Sequence, residues 1–365
     1  MRIALVHDYL IERGGAEQVL EAFLEIWPKA PIYTLLYDEK LTHGRFKGRR
    51  IYTSFLQKLP FSRSRHRLFP LLMPFAAEQF DLSKYDVVLS DSASYAKGIV
   101  TKPSTLHVSY CHTPIRYAWD DSHKYIEEFY YPSLVKKFIP FFMNYIRIWD
   151  REAANRVDYF IANSKFVQRR IKKYYGADSE VVYPPVNVSN FSAAEKDSGK
   201  YFLMVGRLLP YKRFDIAIEA FNSFKQPLKI IGRGPAEKGL RLKAKTNVEF
   251  LKVDGDEKLS EYLAGAKALI FPQEEDFGIT AVEAMACGKP VIAFKSGGAL
   301  ETVKEGVSGL FFEEQTPAAL IKALEKFERS SFEPELVRQE ALKFDKEIFK
   351  KKIKEFVEEK LKTWK

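Results

Sequence analysis

Cysteine is nearly missing from this chain, with two in 365 residues, Cys111 and Cys287. That excludes a small disulfide-stapled domain and fits a reducing compartment. Long apolar runs are missing too. The nearest, "FIPFFMNYIRIW", is broken by Pro140, Asn144 and Arg147, well short of the roughly 18 residues of a membrane span. The leading "MRIALVHDYLIERGG" meets charge at His7-Asp8, too early for a secretory leader. A cytoplasmic protein is expected, with peripheral attachment at the inner face of the cytoplasmic membrane as a further expectation. Low-complexity tracts are absent, and nothing repeats beyond a likeness between the two halves.

Acid is missing from one stretch. Between Lys40 and Ala77 no Asp or Glu occurs, while Lys40, Arg45, Lys47, Arg49, Arg50, Lys58, Arg63, Arg65 and Arg67 alternate with Phe46, Tyr52, Phe55, Leu56, Phe61, Leu68, Phe69, Leu71 and Leu72. Cations attract anionic headgroups, at about 1 kcal/mol each, and apolar neighbours can enter the interface. Nucleic-acid phosphates and a plain solvated face are the competing readings. An anionic membrane surface is carried forward as the partner of residues 40–77, and nucleic acid is not.

What is present in quantity is apolar and aromatic: 46% hydrophobic residues and a net charge of +10. A chain this long exceeds one core, so two domains are expected. Strand-like runs "RIALVHDY", "YDVVLSDS", "LHVSYCH" and "VDYFIANS" alternate with helical stretches such as "AEQVLEAFLEIW". After a proline-bearing joint the rhythm restarts with "YFLMVG", "LKIIG", "NVEFL", "KALIFP" and "KPVIAF". The spacing predicts two α/β, Rossmann-like domains with parallel sheets across a cleft, residues 1–185 and 186–345. Residues 346–365, with Phe349, Ile353, Phe356, Val357 and Leu361 at helical spacing, are expected to form a terminal helix packing back toward the first domain.

Several strand-to-helix turns carry the chemistry. Gly14-Gly15 lets a backbone approach a ligand at a helix start, although it is not the G-x-G-x-x-G fingerprint. In the second domain Arg207 and Lys212 follow Gly206, and two cations there suit a diphosphate. In "FPQEEDFGITAVEAMACGKPVI" Glu275 precedes a helix start at Gly278, Ile279 and Thr280, and Glu283 lies one turn inside it. Amides at a helix start hold phosphate, and carboxylates accept from paired hydroxyls, so the pattern describes a nucleotide sugar.

These residues carry a resemblance. Glu275 to Glu283 in "EDFGITAVE", the following "EAMACGKPVIA", and Gly206, Arg207 and Lys212 in "GRLLPYK" resemble the retaining glycosyltransferases of family 4, which have the GT-B fold of two Rossmann-like domains. "HDYLIERGGAEQV" and "YCHTPIRYAWD" are similar to bacterial mannosyltransferases of O-antigen and exopolysaccharide assembly, which use GDP-mannose. The resemblance implies that Arg207 and Lys212 grip the diphosphate, Glu283 binds the ribose and Glu275 the transferred sugar. Amides from Phe277 to Thr280 would touch phosphate, and His112 would contact the sugar or assist at the leaving oxygen. Gly232, Arg233, Gly234, Val253 and Asp254 are candidates for the base pocket.

The expected catalytic set is thus His112, Arg207, Lys212 and Glu275. The expected acceptor is a glycan, lipid-linked through polyprenyl diphosphate. No cofactor and no metal are expected, since "DGD" at Asp254–Asp256 lies away from the phosphate motifs. A UDP-sugar transferase of the same fold, a sugar-nucleotide epimerase or hydrolase, and a non-catalytic nucleotide-sugar-binding subunit stay open as alternatives.

Overall fold

The computed structural model describes residues 1–12, 14–66, 69–120, 133–191, 199–253 and 255–364, the side chains of 133–137 and 256 excepted. Arg67, Leu68 and Asp254, named above, lie outside the described residues. The chain divides into two units, Met1–Pro185 with Phe349–Lys365, and Val186–Ile348.

The first unit is built on β1 (Ile3–Leu10), β2 (Ile32–Tyr37), β3 (Ile51–Thr53), β4 (Val87–Ser92), β5 (Leu106–Cys111), β6 (Tyr159–Ala162) and β7 (Ser179–Val181). These form one parallel sheet in the order β3-β2-β1-β4-β5-β6-β7. A parallel sheet covered on both faces needs apolar residues at successive positions, and β1 shows why its run is continuous. Ile3 and Leu5 enter the core packed by Val19, Leu20 and Phe23 of helix α1 (Gly15–Ile26), whereas Ala4 and Val6 enter the core on the other face. That second core takes Met73 and Ala76 from α2 (Met73–Glu78) and Ile146 from α3 (Ser133–Ala154).

Helix α4 (Lys165–Tyr175) starts where Ser164 Oγ accepts from the Val167 amide at 3.0 Å and ends at Gly176, whose φ of 71° suits a residue without Cβ. The Lys97 ammonium is buried against Asp150 of α3, and Trp119 and Tyr175 donate to the other oxygen of that carboxylate at 2.8 and 2.9 Å.

The second unit repeats the plan with β8 (Tyr201–Val205), β9 (Leu228–Ile231), β10 (Val248–Leu251), β11 (Ala266–Phe271), β12 (Val291–Phe294) and β13 (Gly309–Phe312), all parallel, in the order β10-β9-β8-β11-β12-β13. Its helices are α5 (Phe214–Phe224), α6 (Glu237–Lys243), α7 (Asp256–Gly265), α8 (Ile279–Ala286), α9 (Ala299–Thr302), α10 (Pro317–Glu328) and α11 (Pro334–Leu342). Phe202, Phe221, Ile230, Ile270, Ile292 and Leu320 meet in its core. The final helix, α12 (Lys346–Trp364), places Phe349, Ile353, Phe356 and Val357 in the first unit's core, where Phe349 stacks on Phe23 at 5.7 Å.

Candidate active site

In the second unit the sequence motifs fall at the carboxyl ends of neighbouring strands, where open parallel sheets present their loops to ligands. β8 ends at Val205, and the chain turns through Gly206 and Arg207 to a short 3₁₀ turn, Pro210–Lys212, before α5. Arg207 is exposed. Arg213 then takes a left-handed φ of 53°, unusual for a side chain of its size, and closes the turn that directs Lys212. The Lys212 ammonium donates to Glu275 Oε1, so two residues 63 positions apart form one charged pair. Each side chain is only 16% exposed.

Glycines allow these turns to approach one another. A Cβ on Gly232 would overlap the Gly206 carbonyl oxygen, and one on Gly234 the Leu208 carbonyl. The Leu208 amide donates to Arg233 O at 2.9 Å, and the Gly206 amide to Ile231 O at 3.0 Å. Gly232-Arg233-Gly234, expected around the base, therefore braces the Arg207 turn with its backbone and leaves Arg233 exposed. A second close approach escaped the sequence reading. Gly297 and Gly298, after β12, lie against Glu275 and Phe277, where a Cβ on either would overlap backbone, and the Gly298 amide donates to Glu275 O at 2.8 Å. The signal was a double glycine between a strand and a helix, the same cue that drew notice at Gly14-Gly15.

Gly278 precedes α8 with φ 93°, and no side chain among the described residues caps the helix. The amides of Ile279 and Thr280 thus open a helix whose start carries no acid. Phe277 is buried on the edge of Phe344 at 5.3 Å, which fixes the approach to that turn. Glu283 is buried one turn in, among Ala281, Val282 and Ala284. Burial also pushes the nearby Cys287 thiol up to about 12 and holds the Lys289 ammonium below its ordinary value. Val253 is half-buried in the loop after β10.

In the first unit His112 follows β5, and its Nε2 meets Asp91 Oδ1 at 2.5 Å. The other Asp91 oxygen meets His7 Nδ1 at 2.8 Å, and His7 Nε2 lies 3.6 Å from Glu17 Oε1. Burial disfavours the charged imidazole of His7, yet hydrogen bonds and charges from Asp91 and Glu17 outweigh it and push His7 up to about 10. Burial likewise opposes the Asp91 charge, while His112 and His7 hold that carboxyl below its usual range. The neighbouring Asp8 accepts from four successive amides, Ala93 to Ala96, at 2.6–2.8 Å. Gly14 is the N-cap of α1 and Gly15 its first residue. A Cβ on Gly14 would come 3.1 Å from Glu17 Oε2, so an internal carboxylate sits at that helix start. Sequence reasoning gave no role to His7, Asp8, Glu17 or Asp91. The polar residues ending β1 and β4 were the available cue.

The segment 40–77 holds no acid, but the fold brings acids to it. Arg45 pairs with Glu21 at 2.9 Å, Arg63 with Asp38 at 3.2 Å and Lys47 with Glu39 at 3.7 Å. Phe61 and Phe75 remain 70% and 64% exposed. A cavity of about 590 Å³ is lined by Leu41, Lys58, Phe61 and Arg63 among others. Among the described residues no helix is long and apolar enough to cross a membrane.

Residues 13–190 match the family model described as Glycosyltransferase Family 4, and residues 187–344 match that described as Glycosyl transferases group 1. With its two parallel-sheet Rossmann-like domains, the chain belongs to the family 4 glycosyltransferases of GT-B fold. It is 30% identical over 177 residues to an uncharacterized glycosyltransferase of Methanocaldococcus jannaschii, covering 47% of this chain and 50% of the other. It is 30% identical over 203 residues to the D-rhamnosyltransferase WbpZ of Pseudomonas aeruginosa, covering 52% and 53%. The chain spans about half the length of the curated relatives it matches. The crystal structure of Anabaena HepE with UDP and glucose shares the fold, with a TM-score of 0.72 at 20% identity over 98% of this chain and 99% of the other. None of these three is named for mannose, so the mannosyltransferase expectation rests on the N-terminal motifs alone.

Proposed function

We propose that this protein is a retaining hexosyltransferase that moves mannose from GDP-mannose to a hydroxyl of a lipid-linked glycan. The observation that carries the reading is the Lys212–Glu275 pair beside the α8 start. A cation, a carboxylate and free-ended amides at neighbouring strand ends match the diphosphate and sugar hydroxyls of a nucleotide sugar. An ammonium has three donors, so Lys212 can keep Glu275 and still meet a phosphate oxygen. Glu283 is assigned the ribose, and the Phe277–Thr280 backbone the phosphates.

The acceptor hydroxyl oxygen bonds to the anomeric carbon on the face that the diphosphate oxygen leaves. A phosphate oxygen takes the hydroxyl proton, while Arg207, Lys212 and the α8 dipole stabilise the departing charge. With Glu275 engaged by Lys212, this route is preferred to a covalent sugar–carboxylate intermediate. His112 is assigned the transferred sugar on the family resemblance. No metal or cofactor enters the proposal. A UDP sugar is the second reading, favoured by the UDP held in HepE.

The partner surface is proposed to be anionic lipid, met by Lys40, Lys58 and Arg65 with Phe61 and Phe75. Exposed Phe138, Phe141, Tyr145 and Ile148 of α3 lie on the same unit.

Incubation with GDP-mannose, UDP-glucose and other nucleotide sugars, with a polyprenyl-diphosphate glycan in anionic vesicles, tests the reading. The expected result is acceptor-dependent release of GDP and an α-linked product. Release of free sugar without acceptor, or inversion, would overturn it. Equal sedimentation with neutral and anionic vesicles would remove the membrane partner alone.

A further inference from the structure

In the sequence His7 marks only the point where β1 meets charge, but the fold makes it one end of a relay. We propose that His7 is a positioning residue: acting through Asp91, it sets which ring nitrogen of His112 is left for a ligand. The proposal rests on the reading of His112 given above.

A carboxylate can only accept, so each imidazole nitrogen bonded to Asp91 carries a hydrogen. His112 therefore holds its proton on Nε2, 2.5 Å from Asp91 Oδ1. Its neutral form leaves the Nδ1 lone pair to accept from a hydroxyl, and its cation donates from the same atom. His7 divides the carboxylate with it, at 2.8 Å from Oδ2, and turns its other nitrogen to Glu17. An imidazole between two carboxylates is held as a cation, in keeping with its rise to about 10. One positive charge thus stands across Asp91 from His112 and holds that carboxylate from its other side.

The other groups around the pair differ from these. His112 meets the Tyr110 ring of β5 edge-on at 5.2 Å, and burial keeps that phenol neutral by raising its pKa well above the ordinary value. Asn163, after β6, donates to His112 O at 2.9 Å, and Arg170 of α4 donates to Thr113 Oγ1 at 2.5 Å. Asp91 is the carboxylate that bridges both imidazoles.

The test is NMR of the histidine ring nitrogens in the intact protein, with His112→Gln to assign the signal. Wild type should show the His112 proton on Nε2, facing Asp91. His7→Gln should shift the His112 ring-nitrogen signals and admit a population with the proton on Nδ1, because Asp91 is no longer held from its other side. Glu17→Gln, which leaves His7 but removes its second partner, should do the same to a smaller degree. In transfer assays kcat should fall in step with that population, with the donor KM nearly constant. His112 signals unmoved in both variants, or a wild-type proton on Nδ1, overturn the proposal even if both variants melt earlier. Should His7→Gln not fold, Glu17→Gln still decides. Full transfer by His112→Ala would instead sink the functional reading of His112 while leaving the tautomer result standing.

Discussion

At the scale of single residues, Lys212 and Glu275 depend on each other. Removing Lys212 deletes a phosphate cation and strips a partly buried carboxylate of its partner. Lys212→Ala should lower kcat by roughly 10²–10³-fold, the range for loss of one preorganised donor. Glu275→Gln keeps an oxygen for the ammonium and should fall between wild type and Glu275→Ala. Steady-state kinetics on variants with near-native melting temperatures check both. The two glutamates of the motif were legible in the sequence as flanks of a helix start. The partner of Glu275 was not, because an ion pair across 63 residues follows from the adjacency of β8 and β11 in the sheet, which no local pattern states.

At the scale of elements, the turns of the second unit are held by backbone packed on backbone. Gly232→Ala and Gly298→Ala force a methyl into main-chain atoms, which cannot swing away as a side chain would. Each should cost about 1–3 kcal/mol in denaturant unfolding and weaken donor binding. Gly239→Ala, in α6 with nothing within 4 Å of its added Cβ, should be neutral or stabilise by up to about 1 kcal/mol.

The strands of the first unit also carry two opposed histidines. His107 is buried neutral, lowered from 6.5 to about 4 by desolvation, so stability falls as pH drops from 6.5 toward 4. His7 is raised from 6.5 to about 10, so its contribution is full below 6.5 and is lost as pH rises toward 10. Melting temperature should therefore peak near neutrality, with His107→Gln flattening the acid side and His7→Gln the alkaline side. The alternating strand and helix rhythm gave away the sheets, because fully buried parallel strands read as apolar runs. β2 and β13 were not named from the sequence although both are largely buried, while β3 and β7 were not legible at all: they are three-residue edge strands without a buried position, and pairing alone makes them strands.

At the scale of the whole molecule, two separately cored α/β units account for the length, and the chain enters the second unit at Val186 and returns to the first at Phe349. The apolar spacing of the last helix was visible in the sequence, but its place in the first core depends on that return. The positive charge of residues 40–77 is partly offset by acids that the fold brings to them, which a count along that stretch could not show. The turns after β8 and β11 are proposed to hold a nucleoside diphosphate, and thermal shift of the intact protein with GDP, UDP and ADP decides it. One diphosphate should stabilise by about 2.7 kcal/mol at 100 times its dissociation constant, with the response lost in Lys212→Ala and kept in Gly239→Ala. No shift with any diphosphate or nucleotide sugar, or an undiminished shift in Lys212→Ala, would contradict it.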